Sequence, residues 1–501
     1  MRVQSVLASH NVSAVSEHPA PRGRRERAAR LAGSAVFYCS LLLVALAAVP
    51  YGSVEFWWAS AFEAGVFAVG MLWAAESLLT GGLRLRRHVP LLLPPLALAL
   101  FALFQTVPLF RTAAGVSISL RQAISADPFE THAFALRLFA LTLLGAMLLR
   151  FTAGRRRLTI LVLTVLAVGA ASALFGILRQ GAQTAETGFV LPALPRGIGY
   201  GQIISRNQFA VLMEMALGLA LGLAASRSGG FAASLFYLSL AVPVGAALIL
   251  ANSRGGILTM LCQILFASLL AAPAWVSRRE RGVSEYGARG LRRGAGTLRS
   301  RAVALAARAA LALALVSLVS VAVVRVGGER VVENMSTVGE ELGAAGADAR
   351  TNTRRVDIWR ATWEMFKDNP LAGVGLGGYW AAIPQYHDAS GEYTPQQAHN
   401  DYLELLASGG VVGFAVLVWF ACVFLARARA VLRSGDPFRR AACMGALAGL
   451  FGVAVHSLFD FGLHLTINAA LFVLLAVIAT SDVNGDALHR AAAGGARLRV
   501  E

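Results

Sequence analysis

The sequence predicts an all-α polytopic membrane protein with about twelve transmembrane helices. Of its 501 residues, 56% are hydrophobic and only 15% are charged, and the mean hydropathy is +0.61. These values are typical of a chain whose main solvent is a lipid bilayer. The apolar residues are also grouped into runs of roughly 20 residues, which is the length that crosses the hydrocarbon core.

The apolar runs define the predicted elements in order. The first five lie at residues 31–50, 54–79, 89–107, 133–149 and 158–178, and five more follow at 207–226, 231–250, 255–276, 302–324 and 402–426. Two final runs lie at 441–461 and 463–481. Because the number of spans is even, both termini are expected on the same side of the membrane.

Arginine residues are distributed unevenly among the segments that join these spans. With a cytoplasmic amino terminus, the inside segments carry the basic clusters at residues 22–27, 84–87, 155–157, 278–301 and 427–440. The outside connections carry isolated arginines, namely Arg111, Arg121, Arg179 and Arg196. Since positive residues concentrate on the cytoplasmic side, this topology accounts for most of the net charge of +17. The charge therefore does not indicate a nucleic-acid partner.

A long outside loop, residues 326–400, is predicted between the ninth and tenth spans, and loops of this length are usually functional. Within it, residues 352–368 have apolar side chains at spacings of three and four, which predicts an amphipathic helix on the membrane surface. The apolar positions of this helix are Val356, Trp359, Thr362, Trp363 and Phe366. The glycine-rich segment 373–378 that follows predicts a turn at which the backbone closely approaches another element.

Three arginines on the outer side, two next to predicted spans and one in the long outer loop, are candidates for binding phosphate. They are Arg206, Arg254 and Arg355. A guanidinium group donates paired hydrogen bonds to phosphate oxygens, so arginines that converge at the outer mouth would suit a diphosphate. The alternative for a single arginine is a side chain that extends to the membrane interface. For Arg254, the small residues of the tight turn 252–256 favour the binding role.

His399 is a candidate general base, because a neutral imidazole accepts a proton near pH 7. It precedes Asn400 and Glu404 at the start of a span, and a surface or capping role is the alternative interpretation. Titratable side chains also bracket the outer turn between the last two spans, and they suit either a supporting role or a satisfied buried network. These residues are His456, Asp460 and His464.

Five segments together resemble the superfamily of O-antigen ligases and O-antigen or exopolysaccharide polymerases, whose members share the Wzy C-terminal region. They are SRNQFAVLMEMALGLALG (205–222), NSRGG (252–256), RRVDIWRATWEMFKDNPLAGVGLGGYW (354–380), QAHNDYLELLASGGVVGF (397–414) and HSLFDFGLHLTINAALF (456–472). Each segment alone is weak evidence for the family, but the order and spacing of the five segments agree with it. The resemblance covers residues 197–475, between the first spans at 31–196 and the chain end at 476–501, and residues 1–30 form a basic cytoplasmic amino terminus.

The resemblance implies a glycosyltransferase C fold in the bacterial inner membrane, with the active site facing the periplasm. It implies an undecaprenyl-diphosphate-linked glycan as donor, a glycan, lipid A core or protein as acceptor, and no nucleotide sugar, cofactor or metal. Arg254 matches the arginine that would bind the diphosphate, and His399 matches the histidine that would act as base on the acceptor hydroxyl. Arg206 and Arg355 fall in segments where basic residues are common. A base opposite the leaving diphosphate predicts inversion at the anomeric carbon.

Two alternatives remain open from the sequence. Within the family, a polymerase of lipid-linked repeats is not separated from a ligase that moves finished glycan. Outside it, a transporter or flippase would also suit about twelve helices with intramembrane carboxylates such as Glu63 and Glu214. No internal repeat is found, and the long outer loop belongs to one half of the chain, which favours the enzyme.

Overall fold

A computed structural model describes residues 23–83, 85–109, 122–183, 199–226, 230–284, 355–387 and 395–481, with the backbone alone for 270–284. The amino-terminal residues 1–22, the predicted span 302–324, residues 326–354 of the predicted outer loop and residues 482–501 lie outside this part of the chain. Within it the secondary structure is helical, with two isolated β-bridges.

The described helices are numbered along the chain. In chain order they are α1 (Arg24–Ala47), α2 (Phe56–Thr80), α3 (Val89–Gln105), α4 (Pro128–Phe151), α5 (Arg155–Ala182), α6 (Arg206–Ser226), α7 (Gly230–Leu250), α8 (Arg254–Ser284), α9 (Arg355–Asp368), α10 (Tyr379–Ala382), α11 (Asp401–Leu432), α12 (Pro437–His456) and α13 (Thr466–Thr480).

The predicted membrane fold is confirmed. Eight of the described helices are long and apolar enough to cross a membrane: α1, α2, α4, α5, α6, α7, α11 and α12. Three shorter apolar helices, α3, the first part of α8 and α13, occur where further spans were predicted. The total of twelve stays a prediction, since residues 302–324 are not described.

The connection between the last two spans is longer than the sequence suggested. Helix α12 ends at His456 and α13 begins at Thr466, whereas the predicted spans were separated at residue 462. The intervening residues form turns and a short 3₁₀ helix, Gly462–His464. Asp460 therefore lies in the connection after the end of α12, with its backbone N–H bonded to the carbonyl oxygen of His456 at 3.0 Å.

Helices α6 and α12 form the centre of the bundle through contacts between glycines. A Cβ atom added to Gly218 would overlap the backbone of Gly449, and one added to Gly222 would overlap Gly445. Small residues allow this close backbone approach, which is the main way that helices pack in a membrane. The packing holds the start of α6 next to the end of α12.

A smaller outer core lies beyond the main bundle, and the glycine-rich segment 373–378 belongs to it. Its buried residues are Ala361 and Met365 of α9, Val374 of this segment, Tyr379 and Ala382 of α10, Ile383 just after α10, Ala398 just before α11, and Ala407 of α11. Gly373 has φ +68, and a Cβ there would overlap the backbone of Ser408. The predicted close approach of the glycine segment to another element is thus confirmed.

Helix α9 begins at Arg355, within the predicted range 352–368. The residues that it buries against the protein are Ile358, Ala361, Thr362 and Met365. Trp363, on the apolar face that was predicted to lie on the membrane surface, is 46% exposed, and its contact with the membrane stays a prediction. The helix packs against α11 and the outer core, where small residues fit. The larger aromatic side chains remain at its edge.

The described arginines of the predicted inside clusters lie at the end of the bundle opposite Asp460. Arg439 donates from Nη1 to the carbonyl oxygen of Ser481 at 2.6 Å, just beyond α13. Arg427 donates from Nη2 to the carbonyl oxygen of Arg87 at 2.6 Å. Cations at helix carboxyl ends are favourable because the terminal carbonyls are otherwise unpaired. The two ends of the bundle therefore differ strongly in charge.

Candidate active site

Four helix ends meet at the end of the bundle opposite these arginines. Asn207 is the second residue of α6, Ser253 precedes α8, His399 lies two residues before α11, and Asp460 follows α12. Hydrogen bonds connect all four side chains in the order Ser253, Asn207, Asp460, His399. The helices thus place residues from distant parts of the sequence in one polar chain.

Asp460 is the centre of this chain. Its side chain is 2% exposed. Oδ1 accepts hydrogen bonds from His399 Nδ1 at 3.2 Å and from the backbone N–H of Phe461 at 2.9 Å. Oδ2 accepts from Asn207 Nδ2 and lies 3.8 Å from Nη2 of Arg355.

The charge state of Asp460 follows from these contacts. Burial by itself would raise the pKa of the carboxyl group, because the charged form loses water. The hydrogen bond and charge of His399 and the N–H of Phe461 oppose this effect, and the net result is a pKa below the ordinary value. Asp460 is therefore a carboxylate at neutral pH.

His399 is oriented by this carboxylate. Since a carboxylate has no proton to donate, Nδ1 of the imidazole must carry the hydrogen, and in the neutral form of the ring Nε2 has the lone pair. The side chain is 35% exposed, and its ring packs edge-on against Phe461 with centroids 4.8 Å apart. The residue has φ 50, a left-handed conformation that is uncommon for a residue with a Cβ. An accessible, oriented nitrogen is what a general base requires.

The bridge between Asn207 and Ser253 brings together the two helix starts that carry Arg206 and Arg254. Ser253 Oγ donates to Asn207 Oδ1 at 2.8 Å and accepts from the N–H of Gly256 at 3.1 Å. Arg206 is the exposed first residue of α6, and half-buried Arg254 is the first residue of α8. Helix amino termini carry partial positive charge and unpaired N–H groups, so both features favour an anion here.

Arg355 differs from the other two predicted arginines, because the structure pairs it with Asp460. Its side chain is 37% exposed, so part of the guanidinium faces solvent.

The remaining predicted residues occupy separate positions. Asn400 is the N-cap of α11, and its Oδ1 accepts from the N–H groups of Tyr402 and Leu403 at 3.1 and 3.0 Å.

Glu404 and His464 form a group beside His399. His464 Nε2 lies 3.4 Å from Oε1 of Glu404 and 3.7 Å from Oδ1 of Asp401. Oε2 of Glu404 accepts the backbone N–H of Ala398 at 2.8 Å. Asp401 is held from the other side by Ser457, whose Oγ donates to Oδ2 at 2.7 Å. This group fixes the first turn of α11 against the turn that contains Asp460.

His456 belongs to a different, fully buried pair. Its Nδ1 lies 2.7 Å from Oε1 of Glu214, and the two side chains are 1% and 0% exposed. The side chains of His456, Asp460 and His464 thus have different partners. His456 pairs with Glu214, and His464 lies beside Asp401 and Glu404. Asp460 contacts His399, Asn207 and Arg355. Among the described residues no group of three or more His, Cys, Asp or Glu side chains is arranged to hold a metal ion.

Two residues of the polar chain were missed by the sequence analysis. Asn207 and Ser253 each lie next to a predicted arginine, inside the segments 205–222 and 252–256. An asparagine directly after an arginine at a span start was the available signal, but uncharged polar residues are common caps there. Their role becomes visible only when α6, α8 and α12 are placed together.

These features define the class of protein: a multi-pass α-helical membrane protein with a polar site at one end of its bundle. A family model described as O-antigen ligase matches residues 236–418, in agreement with the family that the sequence motifs resemble. The match includes Arg254, Arg355, His399, Asn400 and Glu404. It is narrower than the predicted 197–475, and Arg206, His456, Asp460 and His464 lie outside it. No curated protein matches the chain.

The family match and the membrane helices support a glycosyltransferase of the ligase or polymerase type. Such enzymes act on glycan or lipid-linked substrates in general.

Proposed function

We propose that the chain transfers a glycan from a polyprenyl-diphosphate-linked donor, undecaprenyl diphosphate in a bacterial membrane, to a hydroxyl group of an acceptor. The observation that carries this proposal is the hydrogen-bonded chain from Ser253 through Asn207 and Asp460 to His399. It places a candidate base and two arginine-bearing helix starts at the same end of the bundle, which is the combination that this transfer needs.

The arginines would act on the leaving group. Arg206 and Arg254 at the starts of α6 and α8 would bind the diphosphate oxygens, and the exposed part of Arg355 would reach the same region. As the anomeric C–O bond breaks, negative charge develops on the diphosphate, and fixed positive groups lower the barrier most when they are already in place. No metal ion or nucleotide is needed for this step in the proposed mechanism.

His399 would act on the acceptor. Nε2 takes the proton of the acceptor hydroxyl while the hydroxyl oxygen attacks the anomeric carbon. The bond between that carbon and the diphosphate oxygen breaks, and its electron pair leaves with the diphosphate. Asp460 stabilises the imidazolium that forms. If the hydroxyl attacks from the side opposite the diphosphate, the configuration at the anomeric carbon is inverted.

The charge difference between the two bundle ends supports a periplasmic site. Arg25, Arg427 and Arg439 bind backbone carbonyls at the end away from His399. Because arginine concentrates on the cytoplasmic side, the site would face the periplasm of the inner membrane. Labelling of single cysteines with a membrane-impermeant reagent tests this orientation. Trp380→Cys, on α10 beside the outer core, should react with reagent added on the periplasmic side. Arg433→Cys should react only after the membrane is permeabilised.

Transfer by the purified protein tests the proposed function. The protein, reconstituted in vesicles, is incubated with undecaprenyl-diphosphate-linked oligosaccharide and with lipid A core, glycan or protein acceptors. Longer lipid-linked glycan indicates a polymerase, and a new conjugate indicates a ligase. If neither product forms while solute or lipid-linked glycan crosses the vesicle membrane, the protein is a transporter or flippase instead.

The structure gives little support to that second function. The two intramembrane carboxylates that suited a transporter each have a partner in the bundle. Glu63 is paired with Arg137 at 3.3 Å, and Glu214 with His456 at 2.7 Å. Neither is left as a free charge that would attract a translocated ion.

A further inference from the structure

We infer that Trp359 on α9 is a positioning residue that sets the orientation of His399. This inference rests on the proposed function, because it assigns a task only if His399 is the base. Trp359 does not touch the reacting atoms. It acts on the peptide group directly before His399.

Ala398, the residue directly before His399, is held through both of its backbone polar groups. Trp359 Nε1 donates to the carbonyl oxygen of Ala398 at 3.0 Å, and Glu404 Oε2 accepts from the N–H of the same residue at 2.8 Å. Ala398 itself is fully buried in the outer core. A buried carbonyl that loses its donor has no water to replace it, so this bond strongly restrains the backbone at this point.

The backbone conformation of His399 explains why such restraint matters. Its φ of 50 is a left-handed value that a residue with a Cβ does not adopt without support from its surroundings. Asn400 caps α11 immediately afterwards. With Ala398 held before it and α11 beginning after it, His399 projects out of the outer core towards Asp460. Release of Ala398 would let the backbone relax and would turn the imidazole away.

Helix α9 contacts Asp460 and the residue that directly precedes His399. Arg355 and Trp359 are four residues apart and therefore on the same helical face, and Arg355 Nη2 lies 3.8 Å from Asp460 Oδ2. The helix is itself anchored through Thr362, whose Oγ1 lies 2.7 Å from the hydroxyl of Tyr379 on α10. The outer loop thus contributes a rigid element that sets the geometry of the candidate base.

A conservative change tests this role. Trp359→Phe keeps an aromatic ring but removes the N–H donor together with the five-membered ring that carries it. Trp363→Phe on the same helix removes the same atoms and is the matched control, since Trp363 is 46% exposed. We expect Trp359→Phe to lower kcat about 10-fold or more, because misplacement of a catalytic group by about 1 Å costs up to about 100-fold. The KM for donor and the affinity for undecaprenyl diphosphate should not change, and Trp363→Phe should match the parent.

A second measurement does not depend on activity. Hydrogen exchange should be faster in Trp359→Phe than in the parent for the peptide that contains Ala398 and His399, and unchanged in peptides of α12. If kcat and this exchange rate equal those of the parent, or if Trp363→Phe has the same effect, the inference is wrong. A parent protein without transfer activity would instead contradict the proposed function, while the exchange result would still report on the contact itself.

Discussion

Nδ1 of His399 lies 3.2 Å from Oδ1 of Asp460, although the two residues are 61 positions apart in the sequence. Asp460 reaches this position because α12 ends at His456 and the chain turns, and the N–H of Asp460 binds the carbonyl of His456 at 3.0 Å. A carboxylate behind an imidazole selects its tautomer and stabilises its protonated form. The pairing therefore gives His399 the orientation of a general base.

Replacement of Asp460 by asparagine should reduce kcat for glycan transfer about 100-fold or more, because the side chain keeps its size but loses the charge that stabilises the imidazolium. Initial rates with a fluorescent lipid-linked oligosaccharide measure the effect. Glu364→Gln removes a carboxylate from the surface of α9, with a side chain that is 49% exposed, and should retain the parent rate. Equal rates for Asp460→Asn and the parent would exclude Asp460 from the mechanism.

The depressed pKa of Asp460 predicts how stability depends on pH. A carboxyl group whose pKa is lower in the folded state stabilises that state above its ordinary pKa of 3.8, and the effect is lost as the pH falls through the lowered value. The melting temperature of the parent should therefore exceed that of Asp460→Asn by a constant amount between pH 8 and pH 5. The difference should shrink only below about pH 4. A difference that disappears near pH 6 would show that the carboxyl group is not held in its charged form.

Replacement of Arg254 by glutamine should weaken binding of undecaprenyl diphosphate by about 10-fold or more, since a charge-assisted bidentate contact is lost. Arg429→Gln removes the same charge from an exposed position at the opposite end of the bundle and is the control. Both affinities can be measured by quenching of a fluorescent lipid in nanodiscs. Equal weakening by the two substitutions would indicate a general effect of charge, without a diphosphate site at Arg254.

The positions of the described membrane-spanning helices along the chain were predictable from the sequence, because the cost of exposing polar groups to hydrocarbon makes each span continuous and apolar. The pairing of His399 with Asp460 was not predictable in the same way. Each residue was singled out, but their contact depends on how α11 and α12 cross and on the length of the turn after His456. Hydropathy underestimated that turn, since Phe459, Phe461 and Leu463 extend the apolar pattern through it.

The face of α9 shows a second limit of the sequence. Spacing at three and four residues correctly indicated a helix at 355–368, and its bulkiest apolar side chains were expected on the membrane surface. The structure buries Ile358, Ala361, Thr362 and Met365 against the protein, whereas Trp363 is 46% exposed. Which of two apolar stripes faces the protein depends on the partner surface, and the sequence of the helix alone does not contain that information.

Asn207 should be essential to the geometry of the site, because it is the only side chain in the polar chain that contacts both Ser253 and Asp460. Asn207→Ala removes both hydrogen bonds and should lower the free energy of unfolding by about 1–3 kcal/mol. Asn207→Asp places a second carboxylate against Asp460 and should be worse than alanine in both stability and kcat, since like charges repel. Thermal unfolding in detergent and initial rates measure the two effects. If Asn207→Asp equals the parent, the bridge has no functional role.

Gly410 should be required for the outer core to pack against the main bundle. At this residue α11 is interrupted, with φ 62 and ψ −165, and the next N–H, that of Val411, donates to the carbonyl of Pro370 at 2.8 Å instead of continuing the helix. A Cβ at Gly410 would overlap the carbonyl of Leu371. Alanine is thus opposed both by the left-handed φ and by the lack of space, and we expect a loss of more than about 1 kcal/mol in the free energy of unfolding.

Gly435→Ala is the matched control for this change, because Gly435 has no atom within 4 Å of the position of a new Cβ and lies at the opposite end of the bundle. The melting temperature of Gly435→Ala should equal that of the parent, while that of Gly410→Ala should fall. Because the outer core that packs at Gly410 includes α9, Gly410→Ala should also lower transfer activity. This loss is expected even at temperatures where the main bundle remains folded. A Gly410→Ala protein with parental activity would mean that the break in α11 does not contribute to the placement of His399.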